Sequence, residues 1–488
     1  METRAGREIQ DWRPDDPAFW AAGGSKVAYR NLWISVPSLM LAFIVWMLWS
    51  VVAVKLNDIG FAFTRNQLFL LASIPPLVGA TLRIFYSFLV PILGGRRWTA
   101  ISTLSLIIPA LWMGRAVQDP ATPFTVFIAI AALCGFGGGN FSSSMANISF
   151  FFPKSKKGLA TGLNAGLGNL GVSVVQFVAP IAIGLSLFGP VAGGPQEAAP
   201  TTAHKQPVVQ AAAPASATAT AAIETRSEGH PRPATKKVWL QNAAFLWIPF
   251  ILLFSLLAWF GMNDLATARA SFREQSVIFG RKHNWVMCWL YLGTFGSFIG
   301  FSSGFGILIK SQFPDVIAVK YAFLGPLVGA ILRPLGGWVS DKVGGARVTL
   351  AVFLAMIAGV LGVLHFLPRQ GSEGSFPGFL ASFLALFALS GIGNGSTFRM
   401  IPIIFLGRGR GKDAPADPVQ AGRESAAVLG FSGAIGAYGG FFIPKSFGSS
   451  LAATGHADAA LWGFIAFYLT CVALTWWYYA RAKAEAPC

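Results

Sequence analysis

The sequence predicts an all-α integral membrane protein of twelve spanning helices arranged as two similar six-helix halves. Three observations carry this. Of its 488 residues, 54% are hydrophobic and only 12% are charged, whereas a soluble domain carries about 25% charged residues. Twelve apolar stretches have the ~20 residues a helix needs to cross a bilayer. Finally, the octapeptide PLVGATLR at 76–83 returns as PLVGAILR at 326–333, changed at one position.

The expected spans are 33–55, 66–93, 98–117, 122–152, 157–188, 241–262, 284–308, 317–340, 346–367, 376–405, 424–450 and 459–480. Several exceed the minimum and allow tilt. The short alternating segments of a β-barrel are absent from the sequence. Residues 1–32 read as a polar lead-in with no apolar signal core, 33–262 as the first half and 284–488 as the second. Residues 263–283 link the two halves. Within the first half, 189–240 is rich in Ala, Pro, Thr and Gly. Such a segment cannot bury a core and is expected to be a disordered insert.

Charge sets the orientation. Arg96 and Arg97, Lys154 to Lys157, Arg269 to Lys282, Lys342 with Arg347, and Arg408 to Lys412 fall in alternate connections. The positive-inside rule then puts both termini in the cytoplasm. Basic residues cluster in these short connections, and the net charge is +17; without a soluble basic module, nucleic-acid binding is not expected. Cys134, Cys288, Cys471 and Cys488 show no pairing or metal spacing, so neither a disulfide nor a metal or other cofactor is expected.

The repeat also carries charge to membrane depth. Arg83 and Arg333 end its two copies, and Gly94, Gly95 and Arg97 follow the first arginine as Gly344, Gly345 and Arg347 follow the second. A charge inside a bilayer is costly and marks function. No Asp or Glu falls within the apolar interior of the spans. Two unpaired guanidinium groups near each other repel and favour an anion between them. Their planar forks match a small oxyanion edge to edge, which a lysine does not.

Glycine supplies a second pattern. Gly158, Gly162, Gly166, Gly168 and Gly171 mark the fifth span. Gly430, Gly433, Gly436, Gly439 and Gly440 mark the eleventh. Small residues at this spacing let helices approach closely. GLNAGLGNLG at 162–171 can be laid over GFSGAIGAYG at 430–439, a weaker echo of the repeat. Asn169 sits within the first stripe and could donate to an anion. Phe141, Tyr291 and Phe295 would surround the site, the last two on one helical face. Flat rings above and below would favour a planar guest.

Six spans plus six in a parallel repeat resemble the plan of the major facilitator fold. The stretch Gly337, Asp341, Lys342, Gly344 matches that fold's loop motif, and Asp341 with Lys342 would latch a closed state. The first-half counterpart keeps Gly94 and Gly95 but has no acid.

Longer motifs resemble the nitrate/nitrite porter family, close to bacterial nitrate/nitrite antiporters. They include RNLWISVPSLMLAF, CGFGGGNFSSSMANISFFFPK, GLNAGLGNLGVSVVQFVAP, YLGTFGSFIGFSSGFGILIKSQFPD and AAVLGFSGAIGAYGGFFIPKSFGSSLA. The resemblance covers nearly the whole chain outside 189–240. It implies that Arg83 and Arg333 hold nitrate or nitrite, with Asn169 adding a hydrogen bond and Phe141, Tyr291 and Phe295 shaping an aromatic cage. It also implies a multi-pass bacterial inner-membrane location. A monomer is expected.

Family members either exchange nitrate for nitrite or couple nitrate to protons. A proton symporter needs a titratable group in the membrane, and here the spans offer only His365, with Asp341 and Glu424 at their ends. Exchange is therefore expected, and nitrate/proton symport is the alternative. A membrane enzyme would need an acid, base or metal set, for which these residues are too scarce. A channel would need a continuous polar lining. An organic-phosphate exchanger is the closer rival, since paired arginines also suit phosphate.

Overall fold

The computed structural model describes residues 3–4, 8–198, 236–266, 277–369, 372–405 and 418–488. Among the described residues, twelve helices are long and apolar enough to cross a membrane. They are α1 (Pro17–Ile59), α2 (Arg65–Tyr86), α3 (Gly95–Ala116), α4 (Phe124–Phe151), α5 (Ser155–Ile183) and α6 (Asn242–Gly261). The second half is α7 (Lys282–Gln312), α8 (Ala318–Val343), α9 (Gly345–Phe366), α10 (Phe376–Phe405), α11 (Ala427–Thr454) and α12 (Asp458–Ala480). The spans expected from hydropathy fall on these helices.

Two boundaries differ, each for a local reason. Helix α1 begins well before residue 33, because the Asp16 carboxylate accepts from the Ala18 and Phe19 amides and caps a first turn. The lead-in is also not a bare polar tail. Trp12 donates to the Phe150 carbonyl and packs edge-on against Phe151 at the end of α4. Residues 196–198 pair antiparallel with 236–238, so part of the 189–240 insert is an ordered stem, and 199–235 lies outside the described residues. The basic residues Arg408, Arg410 and Lys412 lie outside them too.

The repeat is visible in packing as well as sequence. A methyl group added at Gly138 would meet the Gly79 backbone, and one at Gly391 would meet the Gly329 backbone. Likewise Gly139 abuts Tyr86, and Gly336 abuts Ile392. Gly95 abuts Asn147, and Gly345 abuts Met400. Positions 79, 86 and 95 thus correspond to 329, 336 and 345, while 138, 139 and 147 correspond to 391, 392 and 400. The register of α2 on α4 is the register of α8 on α10.

An even number of spans brings the ends of α2, α4, α6, α8, α10 and α12 to one face, called here the terminus face. At the opposite, far face the halves are joined by polar contacts. Lys310 of α7 donates to the Val54 carbonyl (2.6 Å) and the Asp58 carboxylate (2.5 Å) at the end of α1. Gln176 of α5 donates to the Ser302 carbonyl of α7 at 2.8 Å and to Ser50 of α1 at 3.0 Å.

Candidate anion site

Helix geometry places the two repeated arginines at the centre of the bundle. Arg83 is fully buried and Arg333 is 8% exposed. Nε of Arg83 donates to the Gly138 carbonyl of α4 at 2.8 Å, and its Nη1 crosses to the Gly433 carbonyl of α11 at 2.6 Å. Its guanidinium carbon lies 5.0 Å from the Trp46 ring, 4.7 Å from Phe141 and 5.3 Å from Phe295. Such cation–π contacts are worth roughly 0.5–2 kcal/mol each. They hold the cation without neutralising it.

Arg333 is held more loosely. Its Nη2 donates to the Tyr291 hydroxyl at 3.4 Å, and its guanidinium carbon lies 5.4 Å from the Phe398 ring. The Tyr291 hydroxyl lies within electrostatic reach of both arginines, and each arginine within reach of the other. Among the described residues neither is paired with a carboxylate. Nη2 of Arg83 and Nη1 of Arg333 are buried with no hydrogen-bond partner. A guanidinium N–H can only donate, so two buried donors aim at an acceptor the protein itself does not supply.

The expected aromatic residues come together. Tyr291 and Phe295 stack with ring centroids 5.4 Å apart, and Phe141 lies 6.3 Å from Phe295 at an interplanar angle of 24°. A single π-helical turn at Leu292–Gly296 follows Tyr291 in α7 and contains Phe295, a distortion frequent at functional sites. Asn169 is buried, and its Oδ1 has no partner. The two ends of an amide interchange by a flip of the side chain, so Asn169 can offer its NH2 to an anion.

The glycine rows divide by depth. Gly171 abuts the Met40 carbonyl, Gly436 the Tyr291 ring, Gly439 the Gly296 backbone and Gly440 the Pro76 ring. Gly168 abuts Leu39. Toward the terminus face the picture changes. Added methyl groups at Gly158, Gly162, Gly166 and Gly430 would meet nothing within 4 Å, and one at Gly433 would meet only Phe141, at 3.5 Å. Close helix approach therefore holds for the far-face part of each stripe and not for Gly162 and Gly166. Gly162, Gly166 and Asn169 share one face of α5, so open space leads from the terminus face toward the site.

The latch residues are placed as follows. Asp341 forms an ion pair with Arg399 of α10, and Lys342 Nζ lies 3.8 Å over the Trp338 ring. The acid missing from the first-half loop is supplied from elsewhere. Asp264, just after α6, accepts from the Arg96 amide at 2.8 Å and from Arg96 Nε at 3.2 Å. The position equivalent to Arg96 is Ala346, whose amide donates to the Cys488 carbonyl at 3.0 Å, after α12. The segment following the sixth helix of each half thus caps the third.

Sequence reasoning missed several residues here. Trp46 and Phe398 carry no signal in a chain with 16 Trp and 42 Phe. His365 is not the only helical histidine. Helix α7 starts before the hydropathy window does, so His283 is buried in its first turn, with Nδ1 3.0 Å from the Tyr479 hydroxyl. Glu424 is also more than a helix-end group. It is buried and held bidentately by Arg281, at 2.9 and 3.0 Å.

Two repeated six-helix halves closing on one buried, charged centre are the build of a secondary transporter. Residues 35–411 match the family model described as Major Facilitator Superfamily. The nitrate/nitrite transporter NarU of Salmonella typhimurium is 50% identical over 487 residues, spanning 98% of this chain and 97% of the relative. A probable nitrate/nitrite antiporter of Thermus thermophilus is 41% identical over 100% of both chains. Solved structures share the fold at low identity. A bacterial homologue of the lysosomal transporter Spinster has a TM-score of 0.60 and 12% identity over 93% of this chain and 96% of that one. A D-xylose-proton symporter has a TM-score of 0.61 and 13% identity, over 92% of this chain and 97% of that one. The chain belongs to the Major Facilitator Superfamily and, within it, to the nitrate/nitrite porter family, a family of multi-pass membrane transporters and not of enzymes.

Proposed function

We propose that this protein exchanges nitrate for nitrite across the bacterial cytoplasmic membrane, as a monomer with both termini inside. The anion lies between Arg83 and Arg333, with Asn169 as a further donor and Phe141, Tyr291 and Phe295 as the cage. The observation that carries the reading is the pair of buried guanidinium nitrogens without partners, in a site with no carboxylate among the described residues. The relatives named as nitrate/nitrite transporters supply the identity of the anion.

Exchange follows from the same charges. Without an anion the two arginines repel in a medium that screens poorly, and closing the halves brings this repulsion to its highest. A bound anion offsets it, so the loaded carrier reorients and the empty one stalls. Both acids at the span ends that a proton symporter could titrate are ion-paired. Glu424 is clamped by Arg281, and Asp341 by Arg399.

Reconstituted protein tests this. Labelled nitrate should enter proteoliposomes loaded with nitrite and stay out of vesicles lacking an internal anion, whatever the pH gradient. Uptake driven by a pH gradient into anion-free vesicles would sink exchange and establish nitrate/proton symport.

A further inference from the structure

We propose that Asn394 of α10 is a second substrate-binding amide, contributed by the second half and unmatched in type by its first-half equivalent. The inference rests on the anion site argued above. The α2/α4 and α8/α10 registers make Gly138 equivalent to Gly391 and Gly139 equivalent to Ile392. Phe141 lies three residues beyond Gly138, and Asn394 lies three beyond Gly391. Phe141 is the ring that covers Arg83 at 4.7 Å and stacks toward Phe295. At the matching place beside Arg333, the protein carries an amide in place of a ring.

Further observations agree. Asn394 is 2% exposed, and its Oδ1 has no hydrogen-bond partner. A buried amide left unsatisfied costs about 1–3 kcal/mol, so its retention marks a ligand or a second conformation that completes it. Asn394 lies one helical turn before Phe398, the ring over Arg333, and the two share a face of α10. Phe141 faces Gly433 of α11. The repeat lays Gly433 over Ala165, so a closed terminus face would seat Asn394 against Ala165 of α5, about one turn from Asn169. Asn169 also carries an unpartnered Oδ1. Closing the terminus face brings the two amides toward each other across the pocket, each able to turn its NH2 to the anion's outer oxygens. Arginine forks grip the anion, and the amides close on it.

The asymmetry has a physical consequence. A second ring at position 394 would leave nitrate's outermost oxygen without a donor, and desolvating that oxygen unpaired is costly. Nitrite has one oxygen fewer and loses less. Asn394 therefore sets preference among small oxyanions as well as affinity.

Nitrate and nitrite titrations of purified protein decide the matter, with Arg83→Lys measured alongside. Asn394→Leu removes the amide at similar size and should weaken nitrate binding tenfold or more. Its nitrate-to-nitrite affinity ratio should fall at least threefold, and Asn394→Gln should recover part of both. Should the leucine variant fail to fold, as judged by its elution profile and thermal transition without anion, Asn394→Ser takes its place with the same expectation. Nitrate affinity within twofold of wild type in the folded variant overturns the inference, while Arg83→Lys still losing nitrate leaves the arginine site standing. Normal nitrate affinity in Arg83→Lys would instead overturn the site on which the inference rests.

Discussion

Arg83 does two jobs that lysine cannot combine. Its Nε and Nη1 bind carbonyls of two different helices, one in each half, while Nη2 stays available. A lysine ammonium could reach one of these carbonyls or an anion, without the planar fork. Arg83→Lys is expected to weaken nitrate binding by a hundredfold or so, about 2.7 kcal/mol, with the protein still folded. Arg333→Lys should cost about tenfold, because among the described residues Arg333 is held by the long bond to Tyr291 and the Phe398 ring alone. Isothermal titration against nitrate checks both. Phe295→Ala opens the cage beside Arg83 and should bring chloride and larger anions into competition. Much of this was legible in the sequence. The duplicated octapeptide singled out the arginines, and four-residue spacing put Tyr291 and Phe295 on one face. Their carbonyl acceptors were not legible, because Gly138 and Gly433 act through backbone oxygens that every residue has. Asp264 and His283 were hidden for another reason. Each lies at the edge of an apolar run, where hydropathy alone cannot say whether a polar group ends a helix or is buried by its neighbours.

At the scale of elements, the two parts of the glycine rows differ in what surrounds them. Gly436 lies against Tyr291 and Phe295, where an added methyl would sit 2.7 Å from the first ring and 3.2 Å from the second. Gly436→Ala should therefore displace the cage and lower affinity in the resting protein. Gly162 meets open space on the terminus-face side. Gly162→Val should leave folding and nitrate affinity near wild type while slowing exchange tenfold or more, because the row must pack when the halves rock. Equal loss of binding and exchange would contradict this division. The start of α7 offers a smaller test. Lys282 donates both of its short contacts, 2.7 Å each, to Glu485 beyond α12. This hydrogen bonding lowers the Glu485 carboxylate pKa below its ordinary value. A lowered carboxylate stabilises the fold above its unfolded pKa and loses that contribution as pH falls through the folded one. Lys282→Gln should remove a small acid-side slope in thermal stability below about pH 4.5, the ordinary value, and leave stability at neutral pH nearly unchanged, since the pair is largely solvated.

At the scale of the whole molecule, alternating access requires each face to close and reopen with little net cost. Toward the far face the halves meet through apolar packing, as of Phe69 on Phe447, and through a few polar bonds, of which, among the described residues, the Lys310 ammonium supplies the charged ones. Lys310 is bonded both to Asp58 and to the carbonyl of buried Val54 in the last turns of α1, while Lys55 also pairs with Asp58 at 3.2 Å. Removing Lys310 thus leaves Asp58 with a partner, so the loss falls on the contact between halves and little of it on an orphaned acid. For a partly buried pair with a second charge-assisted bond, that contact is worth roughly 1.5–3 kcal/mol. A shift of 1.4 kcal/mol multiplies the ratio of far-open to far-closed molecules tenfold. Lys310→Gln should therefore populate a conformation with α1 and α7 parted at the far face, whereas Arg281→Gln, which breaks a pair within the second half, should not. Spin labels on the α1–α2 connection and the far end of α7 report the distance directly. A longer-distance population is expected to grow about tenfold in Lys310→Gln and to recede when nitrate is added, since the anion draws both halves onto the arginines. An unchanged distance distribution would show that apolar packing, and not this ammonium, holds the far face shut.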